Sequence, residues 1–464
     1  MKPVTFIHCA DTHLGKIQHN SIRRFEDFLN SFDNLVDYAI ANRVDFIIVA
    51  GDFFDKRNIN PDTFSKTFGI LKKLKKSNIK LIACEGNHDK TFYGNKLSWM
   101  ETLAEIGYII LLKPDYSDTG NIRFTAWNKG SKSGFYYDVT DDIRIFGLGF
   151  LGPEANNRLL EIAPFLLETR ENNKFNLLLL HGIIKKYESD FIGNISADAV
   201  NKLKNSCDYI ALGHQHKRYE HENFAFNPGS LEYWDIEEVK HKSDEKGFYH
   251  LKINSGGKMK SLFKVSSKRP AIHLAINISK TGNPADVESL IISGLTEKIQ
   301  EMQSEQNANN SPLIWVVLRG TIKYDVMEID TKYLKEKINE LFKPALVEVN
   351  TERIQFEGKS GNIISYGMDR KEIEREVIKD YVEQSARFGG QGDCIADLIL
   401  GVMNLATTSG ENDEEIYKMI VNCEAHKKDV ELIIEAECEE EIEEECGGEN
   451  KKGSGAEQKS MLDF

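Results

Sequence analysis

The 464-residue sequence predicts an α/β fold of strands and helices packed in layers, followed by a small α+β unit and C-terminal helices. Three observations predict it. Short runs rich in Val, Ile, Leu and Phe at residues 4–8, 45–50, 80–84, 176–180 and 207–212 read as strands buried on both faces. Stretches of helical period separate several of them: Phe25, Phe28, Leu29, Phe32, Leu35, Val36 and Ala39 fall on one face of 25–41, and a second helix covers 61–76. From about residue 270 the pattern restarts as a compact unit, strand-like at 271–279, helical at 284–304, strand-like at 313–321, helical at 330–342 and strand-like at 345–349.

A Gly- and Ser-containing stretch from Phe356 to Gly367 reads as a linker. Beyond it Ile373, Val377, Ile378, Tyr381 and Val382 recur at helical spacing, and Leu398, Ile399, Val402 and Met403 supply a second apolar face. The block Glu431 to Glu449 holds ten Glu and reads as a solvated helix end passing into disorder. The expected organisation is therefore 1–268, 269–350, a linker at 351–368, helices over 369–436 and an acidic disordered tail at 437–464. Such a length is about three times the ~150 residues of a typical domain.

Composition excludes several classes. With 41% hydrophobic and 28% charged residues the chain is neither wholly disordered nor collagen-like. No run approaches the ~20 apolar residues of a membrane span, and the opening residues Met1 to Asp11 are too polar for a signal peptide. A cytoplasmic, nucleoid-associated location is expected. The seven cysteines are odd in number and contain no C-x-x-C pair, which argues against a disulfide framework or a zinc ribbon. A net charge of −14 looks unfavourable for nucleic acid. Most of that acidity is the tail: residues 431–464 carry twelve Asp/Glu against three Lys, leaving 56 basic against 61 acidic residues for the first 430.

The chemistry is concentrated in the loops just after the strands. The first apolar run ends in Asp11-Thr-His13, the second in Gly51-Asp52-Phe-Phe-Asp55, the third in Gly86-Asn87-His88-Asp89, the fourth in His181-Gly182 and the fifth in Gly213-His214-Gln-His216. Loops at strand ends are where open α/β sheets place their sites. The donors are oxygen and imidazole with no thiolate, a set suited to Mn, Fe, Zn or Mg. Asp52 can offer two oxygens and bridge two ions, and Asn87 adds a neutral carbonyl. Two ions ~3.5–4 Å apart would polarise a phosphoryl oxygen and clamp attacking and leaving groups in line, which is phosphoester hydrolysis. His88, next to Asn87 but not needed as a ligand, is the candidate to steady phosphate charge and protonate the leaving oxygen. Isolated histidines such as His8, His221, His250 and His273 are read as structural or surface residues.

These five blocks resemble the calcineurin-like metallophosphoesterases. Further blocks, Cys9-Ala-Asp-Thr-His-Leu-Gly15, Leu212-Gly-His-Gln-His-Lys-Arg-Tyr219, Asn227-Pro-Gly-Ser-Leu-Glu232 and Lys246-Gly-Phe248, look specifically like the SbcD nucleases, called meiotic recombination eleven in archaea and eukaryotes. The resemblance covers residues 1 to about 265 closely and 270–350 by pattern. It implies a layered metallophosphoesterase fold, a β-sandwich flanked by helices. By resemblance Asp11, His13, Asp52 and His216 would hold one metal and Asp52, Asn87, His181 and His214 the other, with His88 catalytic. The family implies two Mn2+ per subunit, 3′-to-5′ exonuclease action on duplex ends and endonuclease action on single strands and hairpins, in double-strand-break repair. It also implies a homodimer, a DNA-capping domain over 269–350 and docking of a coiled-coil ABC ATPase (SbcC or Rad-fifty type) by the C-terminal helices.

Asp55 departs from the His that many archaeal and eukaryotic members carry there, which leaves the balance of exonuclease and endonuclease action open; Asp55 itself is read as a loop-fixing carboxylate. Lys16, Arg23, Arg24, Lys56, Arg57, Lys90, Lys185, Lys186, Lys217 and Arg218 lie just beyond the metal loops and form an expected basic rim for DNA. The terminal Gln458, Met461 and Phe464 look similar to a sliding-clamp motif. Two other readings compete. A phosphoprotein phosphatase or small phosphodiesterase could use the same site, but would typically carry Arg-Gly and Asn-His-Glu where this chain has Asp55-Lys-Arg and Asn87-His-Asp89. A catalytically silent scaffold for the ATPase would not need His88.

Overall fold

The computed structural model describes residues 2–116, 122–187, 192–240, 245–304, 311–356, 370–383, 390–407, 418 and 420. They fall into two units: residues 1–320 with 330–353, and residues 321–329 with 354–464.

In the first unit two six-stranded sheets face each other. Strands β1 (Val4–Cys9), β2 (Phe46–Ala50) and β3 (Lys80–Cys84) run parallel, continued on one side by Ile110–Leu111 and on the other by the antiparallel pair Gly247–Ile253 and Met259–Val265. The second sheet is ordered Tyr219–His221, Ala225–Asn227, Tyr209–Gly213, Phe175–His181, Ile143–Phe150 and Tyr136–Thr140. Side chains alternate across each strand, so the apolar residues of β1 and β2 are buried on both faces. Phe6, Phe46 and Ile48 enter the core shared with Leu177, Leu179, Tyr209 and Ala211 of the opposite sheet. Ile7, Cys9, Ile47 and Val49 face instead the helices α1 (Ile22–Ala41) and α2 (Pro61–Lys76). A third core seats the helix Ala155–Thr169 on the far side of the second sheet through Leu159, Ile162 and Leu166. The result is the helix, sheet, sheet, helix layering expected of the metallophosphoesterase fold.

Element ends follow local chemistry. Helix α2 starts where the Asn60 side chain accepts from Thr63 N–H at 2.7 Å, with Pro61 at the first helical position and Lys73, Lys75 and Lys76 near the negative end of its dipole. A smaller three-stranded sheet is built from Ala271–Asn277, Leu313–Ile322 and Leu346–Phe356, with the first two parallel. The strand expected at 345–349 thus runs longer, to Phe356. The helices Pro284–Ser304 and Thr331–Phe342 lie between these strands in sequence.

Arg24 corrects one expectation. Placed by sequence on the basic rim, it is wholly buried. It donates to Gln18 Oε1 at 2.9 Å, Asp27 Oδ2 at 2.6 Å and the Tyr233 carbonyl at 2.8 Å, and it lies 3.4 Å from Glu232 Oε1. Arg269, just ahead of the small sheet, joins the same cluster at Asp27 Oδ2 (2.6 Å) and through its backbone N–H to Glu232 Oε2 (2.8 Å). Three buried charges, Arg24, Asp27 and Glu232, are tolerable because each is paired, with the half-buried Arg269 completing the cluster. Arg24→Leu removes one cation and leaves buried carboxylate behind. It is expected to cost about 3–5 kcal/mol, read as an earlier urea transition; a transition within about 0.5 kcal/mol of the parent's would show that the cluster is not held as described.

In the second unit the helices Arg370–Glu383 and Gly392–Thr407 are tied by Arg375, which reaches both Asp397 oxygens at 2.6 and 3.0 Å, and by Lys379 to Asp393 at 2.7 Å. Among the described residues no helix is long and apolar enough to cross a membrane.

Candidate metal centre

The parallel register of β1, β2 and β3 brings their C-terminal loops side by side. Pairing continues past the strand ends: Asp11 N–H donates to Gly51 O at 3.1 Å, His13 N–H to Asp52 O at 3.1 Å and Leu14 N–H to Phe53 O at 2.9 Å. The loop backbone is turned sharply to do this. Asp11 (φ 50°), His13 (φ 44°), Asp52 (φ 49°) and His214 (φ 84°) all lie in the left-handed region, a costly conformation for residues with a Cβ and one that clusters at functional sites. Two glycines make the approach possible. A Cβ on Gly86 would strike the Asp52 carboxylate and backbone, and one on Gly51, itself at φ +84°, would strike the His181 ring.

The structure brings all seven expected ligand residues to one place. Three overlapping sets of donor atoms lie within 4.8 Å of one another: Asp11, His13 and His216; Asp52, His181 and His214; and His13, Asp52 and His88. Asp52 Oδ2 stands 3.3 Å from His181 Nε2 and 3.9 Å from His13 Nε2. Asn87 Oδ1 lies 3.1 Å from His181 Nε2.

Three imidazoles have one nitrogen committed to an outer partner that can only accept, which fixes that nitrogen as a donor and turns the other toward the centre. His181 Nδ1 donates to Ala50 O at 2.8 Å, His214 Nε2 to Ile192 O at 2.9 Å and His216 Nδ1 to Glu238 Oε1 at 2.9 Å. His13 Nδ1 sits 3.4 Å from Asp55 Oδ1, outside hydrogen-bonding geometry although within ion-pair range. Outer partners of this kind fix the tautomer and orientation of metal-ligating histidines. His88 is held likewise, Nδ1 donating to the Asp55 carbonyl at 2.6 Å and its backbone N–H to Asp52 Oδ1 at 2.9 Å.

The electrostatics suit a cation. Burial resists ionisation of Asp11 and raises its pKa. Burial also opposes charging of His181, but the Asp52 and Asp11 carboxylates outweigh it and push its pKa up to about 9. His214 goes the other way, burial and the neighbouring His181 holding it down to about 3. Asp52, though buried, is held below the usual carboxylate range by His181 and His13. His13 Nε2 faces His216 Nε2 at only 3.1 Å. With its Nδ1 committed to Glu238, His216 turns that inner nitrogen toward the centre. Two buried carboxylates and inward imidazole nitrogens, with no Lys or Arg among them, fit divalent cations of the oxygen- and nitrogen-preferring kind.

Residues without an assigned role in the sequence reading complete the site. Asp89 accepts from the backbone N–H groups of Phe53 (3.1 Å), Phe54 (2.9 Å) and Gly86 (2.9 Å), stitching the second loop to the third. Trp234 Nε1 donates to Asp55 Oδ1 at 3.1 Å, while Lys16 Nζ lies 3.4 Å above the Trp234 ring. Neither Trp234 nor Glu238 belongs to a spaced motif, so their position beyond Asn227-Pro-Gly-Ser-Leu-Glu232 was the only available signal.

The basic residues diverge. Lys16 and Arg57 line a cavity of about 610 Å³ with Lys56, His88, Phe92 and Trp234. Lys90 lines a separate one of about 240 Å³ with Glu85, Phe150 and Arg158. Arg218 is engaged by Glu245 at 3.3 Å and Glu220 at 3.5 Å and stacks on Phe263, while the Lys217 carbonyl accepts from Asn227. Arg23 reaches the Pro344 carbonyl at 3.4 Å. His8, given no role, is buried with Nδ1 2.7 Å from the Tyr209 hydroxyl. Gln458, Met461 and Phe464 lie outside the described residues.

Comparison with known proteins agrees with this geometry. Residues 4–218 match the family model of the calcineurin-like phosphoesterases, and that match together with the clustered donor groups supports a metal-dependent phosphodiesterase. Three archaeal relatives carry the name DNA double-strand break repair protein Mre11. The protein of Archaeoglobus fulgidus is 26% identical over 401 residues, 82% of this chain and 85% of the relative. That of Sulfurisphaera tokodaii is 26% identical over 434 residues, 90% and 98% of the two chains, and that of Sulfolobus acidocaldarius 25% identical over 443 residues, 92% and 97%. Over most of its length the chain is thus similar to proteins of the Mre11/SbcD type. Among solved structures a dimetal phosphatase from Danio rerio is only distantly similar, with a TM-score of 0.38 and 13% identity over 56% of this chain and 96% of that one.

Proposed function

We propose that this chain is a two-metal DNA nuclease of double-strand-break repair. The observation that carries the reading is the convergence of four strand-end loops on two donor groups, Asp11/His13/His216 and Asp52/His181/His214, with Asp52 close to both and Asn87 of a fifth loop 3.1 Å from His181 Nε2. Asp11, His13, Asp52 and His216 would hold one divalent ion, and Asp52, Asn87, His181 and His214 the other. Bound there, such ions supply Lewis-acid polarisation of a phosphoryl oxygen and a nucleophile at neutral pH. His88 acts from the protein side. With its Nδ1 proton committed to the Asp55 carbonyl, Nε2 is the atom that can hydrogen-bond the phosphate and, when protonated, deliver a proton to the leaving oxygen. Lys16 and Arg57, on the wall of the adjoining cavity, are candidates to contact flanking phosphates; Lys90 and Lys217 remain candidates, whereas Arg218 would first have to leave its two glutamates.

The relatives named for break repair support the finer reading. It comprises manganese as the working ion, 3′-to-5′ exonuclease action on duplex ends, endonuclease action on single-stranded or hairpin DNA, and a homodimer. Residues 269–350 would cap DNA and 369–436 would dock a coiled-coil ABC ATPase, with the C-terminal Gln458, Met461 and Phe464 offered to a sliding clamp. The test is incubation with circular single-stranded DNA and with blunt duplex ends in Mn2+, with and without a chelator. Chelator-sensitive cleavage of both is expected. No cleavage with any divalent ion, alone or with the ATPase, contradicts the nuclease assignment.

A further inference from the structure

The short segment from Trp234 to Glu238 touches two of the imidazoles around the first donor group, from the side away from the centre. Glu238 Oε1 accepts from His216 Nδ1 at 2.9 Å. Its other oxygen accepts from Lys246 Nζ at 2.7 Å and from the Trp234 backbone N–H at 3.0 Å. Lys246, only 1% exposed, is fixed in turn by the His216 carbonyl at 2.9 Å and Ser230 Oγ at 3.0 Å. At the other end of the segment the Trp234 indole N–H holds Asp55 Oδ1 at 3.1 Å, and that same oxygen faces His13 Nδ1 at 3.4 Å. Each of these two histidines therefore has a carboxylate behind it, and both carboxylates are held by one stretch of five residues.

That stretch is itself anchored from its far side. Tyr233, Ile236 and Val239 pack into a cluster with Leu313, Trp315 and Val317 of the small sheet, and the buried Arg24 donates to the Tyr233 carbonyl at 2.8 Å. A carboxylate behind a ligating imidazole sets its tautomer, fixes its ring and raises its basicity. By contrast the outer partners of His181 and His214 are the neutral carbonyls of Ala50 and Ile192. The two halves of the centre thus differ in kind: one is backed by carboxylates, the other by peptide oxygens.

We propose that Trp234, Asp55 and Glu238 are positioning residues that set the affinity of the ion held by Asp11, His13 and His216, and leave the ion at His181 and His214 to its backbone partners. This rests on the two-metal reading above. Lys246, itself buried, supplies the counter-charge beside the half-buried Glu238 carboxylate.

The experiment is calorimetric titration of the full-length protein with Mn2+, together with the electron paramagnetic resonance signal of the ion pair. The parent chain is expected to take up two ions. In Glu238→Gln, which keeps the side-chain shape, one binding step should weaken by about 10- to 100-fold and the spin-coupled signal should fade, while the other step is unchanged. Trp234→Phe, which removes the indole N–H donor, keeps an aromatic ring and introduces no charge, should weaken the same step. Glu237→Gln, an exposed change in the same segment, should leave both steps alone. Unchanged binding in both Glu238→Gln and Trp234→Phe overturns the inference while the two-metal reading stands. Equal weakening of both steps, or weakening in Glu237→Gln as well, also overturns it, since that is general loosening. A parent chain that binds no Mn2+ removes the two-metal reading and this inference with it.

Discussion

Asp52→Asn is expected to abolish high-affinity Mn2+ uptake and to lower DNA cleavage by about 10³-fold or more, the several kcal/mol that metal polarisation supplies. Asp52 is the carboxylate placed between the two halves of the centre, 3.3 Å from His181 Nε2 on one side and 3.9 Å from His13 Nε2 on the other. Asparagine has the same shape and can still accept the His88 N–H that Asp52 Oδ1 now takes at 2.9 Å. The turn should therefore survive. What is lost is the negative charge and one of the two oxygens, and with it the ability to serve two cations at once. Circular dichroism unchanged from the parent, with binding calorimetry showing the loss of both ions, is the expected pair of results; a variant that still takes up two ions with parental affinity would rule out a bridging role.

His88→Gln should separate binding from chemistry. His88 sits edge-on to His13 with ring centroids 5.0 Å apart, and its Nδ1 is taken by the Asp55 carbonyl. Glutamine can keep a donor near that carbonyl but offers no ring nitrogen able to take up and release a proton. Removal of a positioned general acid typically costs ~10²–10⁴-fold. The expectation is two ions bound as in the parent, DNA bound as in the parent, and single-turnover cleavage slower by that factor. Cleavage at the parental rate would take His88 out of the reaction. Loss of one ion would instead make it a ligand, which the proximity of His13, Asp52 and His88 to one another permits.

Much of the architecture could be read in advance for a physical reason. Strands buried on both faces are continuous apolar runs, and β1, β2, β3, Phe175–His181 and Tyr209–Gly213 all coincide with such runs to within a residue or two. Helix α2 is bounded by Asn60-Pro61 and a lysine-rich end, signals that act locally. The strands Tyr136–Thr140 and Ile143–Phe150 escaped notice. The first lies at the sheet edge, only partly buried, and the second is interrupted by Gly147 and Gly149 at a register shift, so neither reads as an unbroken apolar run.

The candidate site was legible for a different reason. Ligand-type residues directly after apolar strands need no long-range information to be noticed, because parallel register does the assembling. Outer contacts are another matter. Glu238 and Trp234 act on histidines about twenty and more than two hundred residues away in sequence, and nothing in their own neighbourhood marks them. Arg24 shows the converse error: a basic residue near a metal loop looks like a phosphate contact until Asp27, Glu232 and the Tyr233 carbonyl are seen to enclose it.

The most direct test of the central claim is anomalous diffraction from crystals soaked in Mn2+. Two peaks ~3.5–4 Å apart are expected, one among Asp11, His13 and His216, the other among Asn87, His181 and His214, with a carboxylate oxygen of Asp52 reaching each. A single peak, or two peaks of which neither lies against Asp52, would contradict it.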